Sequence, residues 1–296
     1  MAHTITTDEI VAAALGLLEA KSVLGSRVWR DAESSFIGGV GDEVTVTLPT
    51  VVEAKLKDDG KNIDYSDLNE QTFKVKLTDH AYNAIKLNER QMNFDIRNFG
   101  AQVLTPQASG VAKHCEKAVT GILNKAIEGA TEEITKDAPL AALAKVSAEM
   151  TAREIDEDGR VLAIGPDLKE AFLALPELQN AAFAGDANVI QNGSLGRVLG
   201  FEVVVSPFVK GGAVAFTREA VALAVRAPAA PEGASGASNT HNGFALTTVR
   251  QYVVDQLSHV NVVQTFVGAT ALDTNRMVPL KIATGGGGGD TRKSKA

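Results

Sequence analysis

With 296 residues, 45% of them hydrophobic and 22% charged, the chain can bury a sizeable core in one large or two modest domains, and global disorder is excluded. Aromatics are 5% and the net charge is −7, which excludes a stacking groove for single strands and a basic nucleic-acid clamp for the chain as a whole. One cysteine, Cys115, excludes an intrachain disulfide and an all-cysteine zinc site. The first residues lack the basic region of a secretory leader, and the apolar run at 10–18 is too short to span a bilayer. A reducing, aqueous compartment and no membrane are expected.

Residues 1–30 read as an arm with one short helix. Thr6 and Glu9 have capping-box spacing, and Ile10, Ala14, Leu17 and Leu18 share one face. So short a helix must dock, on its own domain or on a neighbouring chain. Past a turn at Gly38, Gly39 and Gly41 the period becomes two. Val44, Val46 and Leu48 alternate with threonines, and Glu53, Lys55 and Lys57 alternate with Ala54 and Leu56 as a second strand. A polar tip follows at 58–62. Phe73, Val75 and Leu77 alternate with lysines, and a tight turn at Asp79-His80 would send residues 82–87 back antiparallel. This finger offers little apolar surface, and its edges need partners. Lys55, Lys57, Lys61 and Asp64 are either a solvated face or contacts to another chain.

Residues 105–129 carry the clearest helix. Thr105 is placed to cap it and Pro106 to start it. Val111, Cys115, Val119, Ile122 and Ala126 recur every three or four residues as a core stripe, and Gly129 ends the pattern. About 24 residues give roughly 36 Å. An α/β block follows over 138–226. It has a helix at 140–152, a turn at 156–159 and a buried strand at 161–164. A proline-started helix at 166–175 and a loop at 192–196 come next, then strands at 201–205 and 213–216 and a helix at 218–225. Residues 227–243 read as an exposed loop, 244–272 as long β-branched strands, and 283–296 as a flexible glycine-rich tail with basic residues.

No motif for chemistry emerges. Gly193, Gly196 and Gly200 have the wrong spacing for a dinucleotide site, and Gly60-Lys61 is followed by Asn62 where a phosphate loop needs serine or threonine. Asp156 and Asp158 resemble the start of a calcium loop, but Val161 stands where glycine is required. No histidine has a helical metal-site partner, and Cys115 on the apolar stripe reads as core. No catalytic residue, cofactor or metal is expected.

The order of parts (arm, β finger, long helix, α/β block, returning strands) resembles the Hong Kong 97-like fold of tailed-phage major capsid proteins. The runs FKVKLTDH at 73–80, LTPQA at 104–108, GRVLGFEVVVS at 196–206 and AVAFTREAVAL at 213–223 are similar to the branch related to the Salmonella podovirus coat protein. The resemblance implies an α+β fold with an N-arm at 1–35 and an E-loop with adjoining hairpin at 36–90. It also implies a P-domain at 91–137 and 241–282 with spine helix 105–129, an A-domain at 138–240 and a tail at 283–296. It further implies a non-enzymatic coat protein whose hexamers and pentamers close an icosahedral shell, in the host bacterial cytoplasm. That shell would become the virion capsid, enclosing double-stranded DNA without sequence-specific binding. It leaves room for scaffolding, portal and decoration proteins.

Some relatives join an E-loop lysine to another chain's asparagine. Here Lys55, Lys57 and Lys61 sit among Asp58, Asp59 and Asp64, which favour the charged, non-nucleophilic ammonium, so no cross-link is expected. The alternatives are an encapsulin-like compartment shell and a small-molecule enzyme using the α/β block.

Overall fold

The computed structural model describes residues 12–16, 18, 22–30, 43–48, 54–57, 62, 65, 71–91, 99–176, 195–231, 233, 235–241 and 244–283. Among these the strands and helices run β1 Glu43–Leu48, β2 Gln71–Lys76, β3 Asp79–Asn88, α1 Thr105–Glu128, β4 Glu132–Ile134, α2 Pro139–Ala152, β5 Val161–Ile164 and α3 Pro166–Leu173. They continue with β6 Arg197–Val198, β7 Phe201–Val205, β8 Gly212–Phe216, β9 Val221–Arg226, β10 Ser235–His241, β11 Phe244–Val253, β12 Ser258–Ala271 and β13 Met277–Ile282. The chain divides into two compact units, with cuts after Ile122, Thr217 and Thr274. These cuts differ from the bounds expected at 90/91, 137/138 and 240/241. β9 to β12 belong to one sheet, while β4 and β13 join another.

In the first unit a sheet runs in the order β10-β11-β12-β3, with β9 also on β12, all antiparallel. Along β12, Asn261, Val263, Thr265 and Val267 are buried while Val260, Val262, Gln264 and Phe266 are half-exposed. This is the alternation of a sheet covered on one face. The arm docks on its own unit. Ala14, Leu15, Leu18, Leu24 and Val28 are buried, and Trp29 bridges Ala222, its N–H donating to the Val221 carbonyl at 2.9 Å.

β1 and β2 pair antiparallel, Glu43 opposite Lys76 and Leu48 opposite Gln71. The second strand expected around Lys55 is absent. Residues 54–57 are exposed and form no strand, because alanine and leucine alone give too small an apolar face to hold a ladder. Asp79 and His80 make no turn either; they open β3, which pairs with β12 from Asp79↔Val267 to Asn88↔Ser258. Gly268 allows this path. A methyl there would stand 2.0 Å from the Lys76 carbonyl oxygen, so the end of β2 passes directly against β12.

Two further expectations fail in this unit. Residues 221–226 are a strand, not a helix: Val221, Leu223 and Val225 supply the β-branched or bulky alternation, and β12 supplies the partner. The expected loop at 227–243 contains β10, whose small polar residues pair along β11. A nearby partner strand decided the outcome in both cases.

In the second unit a mixed sheet runs β4-β13-β8-β5-β7-β6. β5 lies parallel to β7 and antiparallel to β8, and α3 forms part of the crossover from β5 to β7. Leu143, Val146 and Met150 of α2, Leu168 and Phe172 of α3, and Leu162, Ile164, Phe201, Ala213 and Leu280 of the sheet share one core. Gly165 is required where β5 turns into α3, since a Cβ there would lie 2.5 Å from the Val209 carbonyl. Pro166 then opens the helix at a position that needs no N–H.

Candidate functional site

The feature that organises the first unit is α1. Its 24 residues follow a wide helical turn, Gly100–Leu104. Thr105 is not an N-cap. Its backbone is already helical, and both its N–H and its Oγ1 donate to the Gly100 carbonyl, the latter at 3.0 Å. The widened ring provides for Pro106, which lacks the N–H that a regular turn would use.

Val111, Cys115 and Val119 are buried on one stripe, at 2%, 0% and 0% exposure. Ile122 is only half-buried. Leu123, four residues beyond Val119, continues the stripe instead and is fully buried. Burial pushes the Cys115 thiol up to about 12, so at neutral pH no thiolate is present to react. A disulfide-exchange reagent should therefore leave the native chain unlabelled and modify it within minutes once denatured. Fast labelling of the native chain would show the stripe to be open.

Polar side chains, not only the stripe, fix α1 to the sheet. The fully buried Gln107 amide donates at 2.9 Å to the backbone carbonyls of both Asn83 on β3 and Asn261 on β12. Its carbonyl accepts from the Asn261 amide. One turn pair onward, His114 Nε2 meets Asp79 Oδ2 at 2.9 Å. As α1 advances from Gln107 to His114, the strand residue met falls from Asn83 to Asp79, so helix and β3 run antiparallel. The buried Glu116 carboxylate accepts the Leu24 backbone N–H, 3.1 Å to Oε2, which ties the arm to the helix. Gln107 and Glu116 are absent from the sequence-derived core. The signal for Gln107 lay in its position exactly four residues before Val111 on the apolar stripe.

The finger is charged and open. Glu43 bridges Lys76 at 3.0 Å and Lys74 at 3.2 Å, and these two ammonium groups, Lys76 first, hold its carboxyl below the ordinary value. Lys55 and Lys57 are exposed, flanking a fully exposed Leu56. Tyr65 is 93% exposed. Lys61 and Asp64 lie outside the described residues. Among the described residues no three histidine, cysteine or acidic side chains gather as a metal site, and no helix is long and apolar enough to cross a membrane.

None of the curated proteins matches this sequence. Solved structures do. A Mycobacterium phage Che8 chain is 16% identical with a TM-score of 0.58, over 85% of this chain and 88% of that one. A capsid chain of cyanophage P-SCSP1u is 10% identical with a TM-score of 0.61, over 88% of each. A chain of the virus-like particle from Pyrococcus furiosus is 11% identical with a TM-score of 0.51, over 93% of this chain and 98% of that one. At such identities they establish a shared fold, the Hong Kong 97-like α+β capsid fold. The profile of the family described as phage capsid protein matches residues 72–259, a span that begins in β2, takes in α1 and the second unit's elements from β4 to β8, and ends in β12. A match over more than half of the chain makes this protein a member of the phage capsid protein family.

Proposed function

We propose that this chain is the major capsid protein of a tailed phage, tiling as hexamers and pentamers into a closed icosahedral shell around double-stranded DNA. The family match over residues 72–259 carries this reading. In it, residues 1–35 are the N-arm and 36–90 the E-loop with its hairpin. The P-domain is built on α1 with β9 to β12, and the A-domain on α2 and α3 with β4 to β8 and β13. Lys55, Lys57, Lys61 and Asp64 touch neighbouring subunits, and the fully exposed Leu56 finds its cover there. Closed shells repeat heterologous contacts, and extended segments add interface without enlarging a core. The net charge of −7 limits trapping of DNA on the wall during filling. The chain does no catalysis. Its place is the virion, after assembly in the host cytoplasm.

Expressed at full length, the chain should sediment as large particles and show rings or shells by electron microscopy at some salt or crowding condition. The same particles, boiled in detergent, should run as one band near 31.0 kDa, because Lys55 and Lys57 stand exposed, outside the desolvated pocket that an amide-forming amine requires. A compact monomer under every condition would overturn assembly, and a ladder surviving boiling and reductant would overturn non-covalent closure. The fold shared with the Pyrococcus particle keeps a compartment shell as the second reading. Particles from the native source that contain protein cargo and no DNA would favour it.

A further inference from the structure

The acidic turn that fails as a calcium loop, between the end of α2 and the start of β5, holds a different chemistry. Asp158 is followed by Gly159. An aspartyl carboxyl group and the next residue's amide nitrogen can close a succinimide ring. Glycine hinders that closure least, since it puts no side chain beside the nitrogen.

The structure sets the two groups against each other. The Gly159 N–H donates to Asp158 Oδ1 at 3.1 Å, so the carboxyl group lies against the nitrogen that must attack it. Gly159 takes φ 77, a left-handed conformation that glycine adopts without strain, and the space where a Cβ would stand is open. Residues 156–159 are exposed and lie outside helix and strand, so water reaches the ring. Arg197 Nη2 comes within 3.4 Å of the same Oδ1, but the Asp158 side chain is 94% exposed, and a pair this open holds the carboxylate weakly.

We propose that Asp158-Gly159 is a modification site, at which the folded chain isomerises its own backbone to a β-linked aspartate and so loosens the end of α2. In the first step the Gly159 nitrogen bonds to Cγ of the protonated Asp158 acid, and the amide proton leaves with the carboxyl hydroxyl as water. In the second, water adds to the main-chain carbonyl of the succinimide, and the bond from that carbonyl to nitrogen breaks. The backbone then runs through the side chain, longer by a single carbon and unchanged in mass. Arg160 gives this a consequence. It follows Gly159 directly and is buried. Its guanidinium donates to the Ile155 and Asp156 carbonyls, and its own carbonyl accepts the Glu202 N–H at 2.9 Å. Both ends of the turn are fixed, so a carbon added between them displaces one. The reaction needs no assembly and goes beyond the capsid reading.

The test holds the full-length chain for weeks at physiological temperature and mildly acidic pH, both folded and unfolded in guanidinium, before digestion with trypsin. The peptide Glu154–Arg160 also contains Asp156 before Glu157, an internal control. Electron-transfer fragmentation, which distinguishes the β-linkage, should find it at Asp158 about tenfold or more above Asp156. The folded chain should gain it at least as fast as the unfolded one, and amide exchange at the end of α2 should quicken as the modified fraction grows. Asp158→Glu, whose longer side chain closes the ring poorly, should show neither change. A β-linkage at Asp158 no greater than at Asp156, or gained far more slowly by the folded chain, would overturn the site. Exchange in α2 that stays constant as modification proceeds, or that quickens equally in Asp158→Glu, would overturn its effect on the helix.

Discussion

Val119→Asp should yield no soluble subunit. Val119 is fully buried in the middle of the α1 stripe, with Cys115 and Leu123 one turn either way. An aspartate there loses its hydration and gains no partner from the stripe, at a cost of several kcal/mol. That is comparable with the whole margin of a domain, about 5–15 kcal/mol. Val119→Thr separates charge from shape. Its hydroxyl can bond the carbonyl four residues back, as Thr120 Oγ1 does to the Glu116 carbonyl at 3.0 Å. The threonine chain should remain soluble with a lowered unfolding midpoint. Expression yield, solubility and thermal midpoint decide it. Wild-type solubility and midpoint for Val119→Asp would mean that α1 is not packed as described.

Arg160→Leu should loosen the second unit by about 3 kcal/mol or more. Arg160 is 2% exposed, and its guanidinium holds the end of α2 in place. Nε donates to the Asp156 carbonyl at 2.9 Å, Nη2 to the Ile155 carbonyl and to Thr151 Oγ1 at 3.1 Å, and Nη1 to the Ser147 carbonyl at 3.3 Å. The Ile155 and Asp156 carbonyls lie just beyond the helix end, where carbonyls lack helical partners and a cation is favoured. Leucine fills part of the volume and satisfies none of them. Lysine restores the charge without the fork, so Arg160→Lys should recover only part of the loss. Amide exchange in α2 should accelerate in both variants, more in the leucine. Unchanged exchange would show that water can replace the guanidinium at no cost.

Sequence patterns exposed what local chemistry determines. The proline-led start of α3, the period-two run of β2 and the stripe of α1 are each written within a short local run. Pairing partners are not. β3 was legible as a strand, but its mate, β12, is far along the chain, so a return onto β2 looked natural. Residues 221–226 mix alanine with valine and leucine, which suits a helix until β12 lies alongside. β10 is too polar to read as a strand without β11. Buried polar groups were hidden for a different reason. Gln107, Glu116 and Arg160 are residue types that usually face water, and only the three-dimensional supply of backbone partners makes them interior. The exposed lysines of the finger were legible as open positions, but not their lack of a strand to stand on.

The distance between β3 and β12 also sets a schedule. Lys86 of β3 and Gln256 in the turn before β12, hydrogen-bonded in the finished fold, are 170 positions apart. β4 likewise waits for β13, since Glu132 pairs with Leu280. At roughly 5–20 residues per second of synthesis, the β3 edge and the stripe of α1 stay uncovered for about 10–30 s while the ribosome delivers their partners. Contacts this distant also slow closure after release. During that interval the nascent chain presents an unpaired strand and an apolar helix face to its neighbours on the same message. The yield of a protein needed in many copies is therefore decided partly by how crowded the ribosomes are and by what holds the first half apart, before the stability of the finished fold has any bearing.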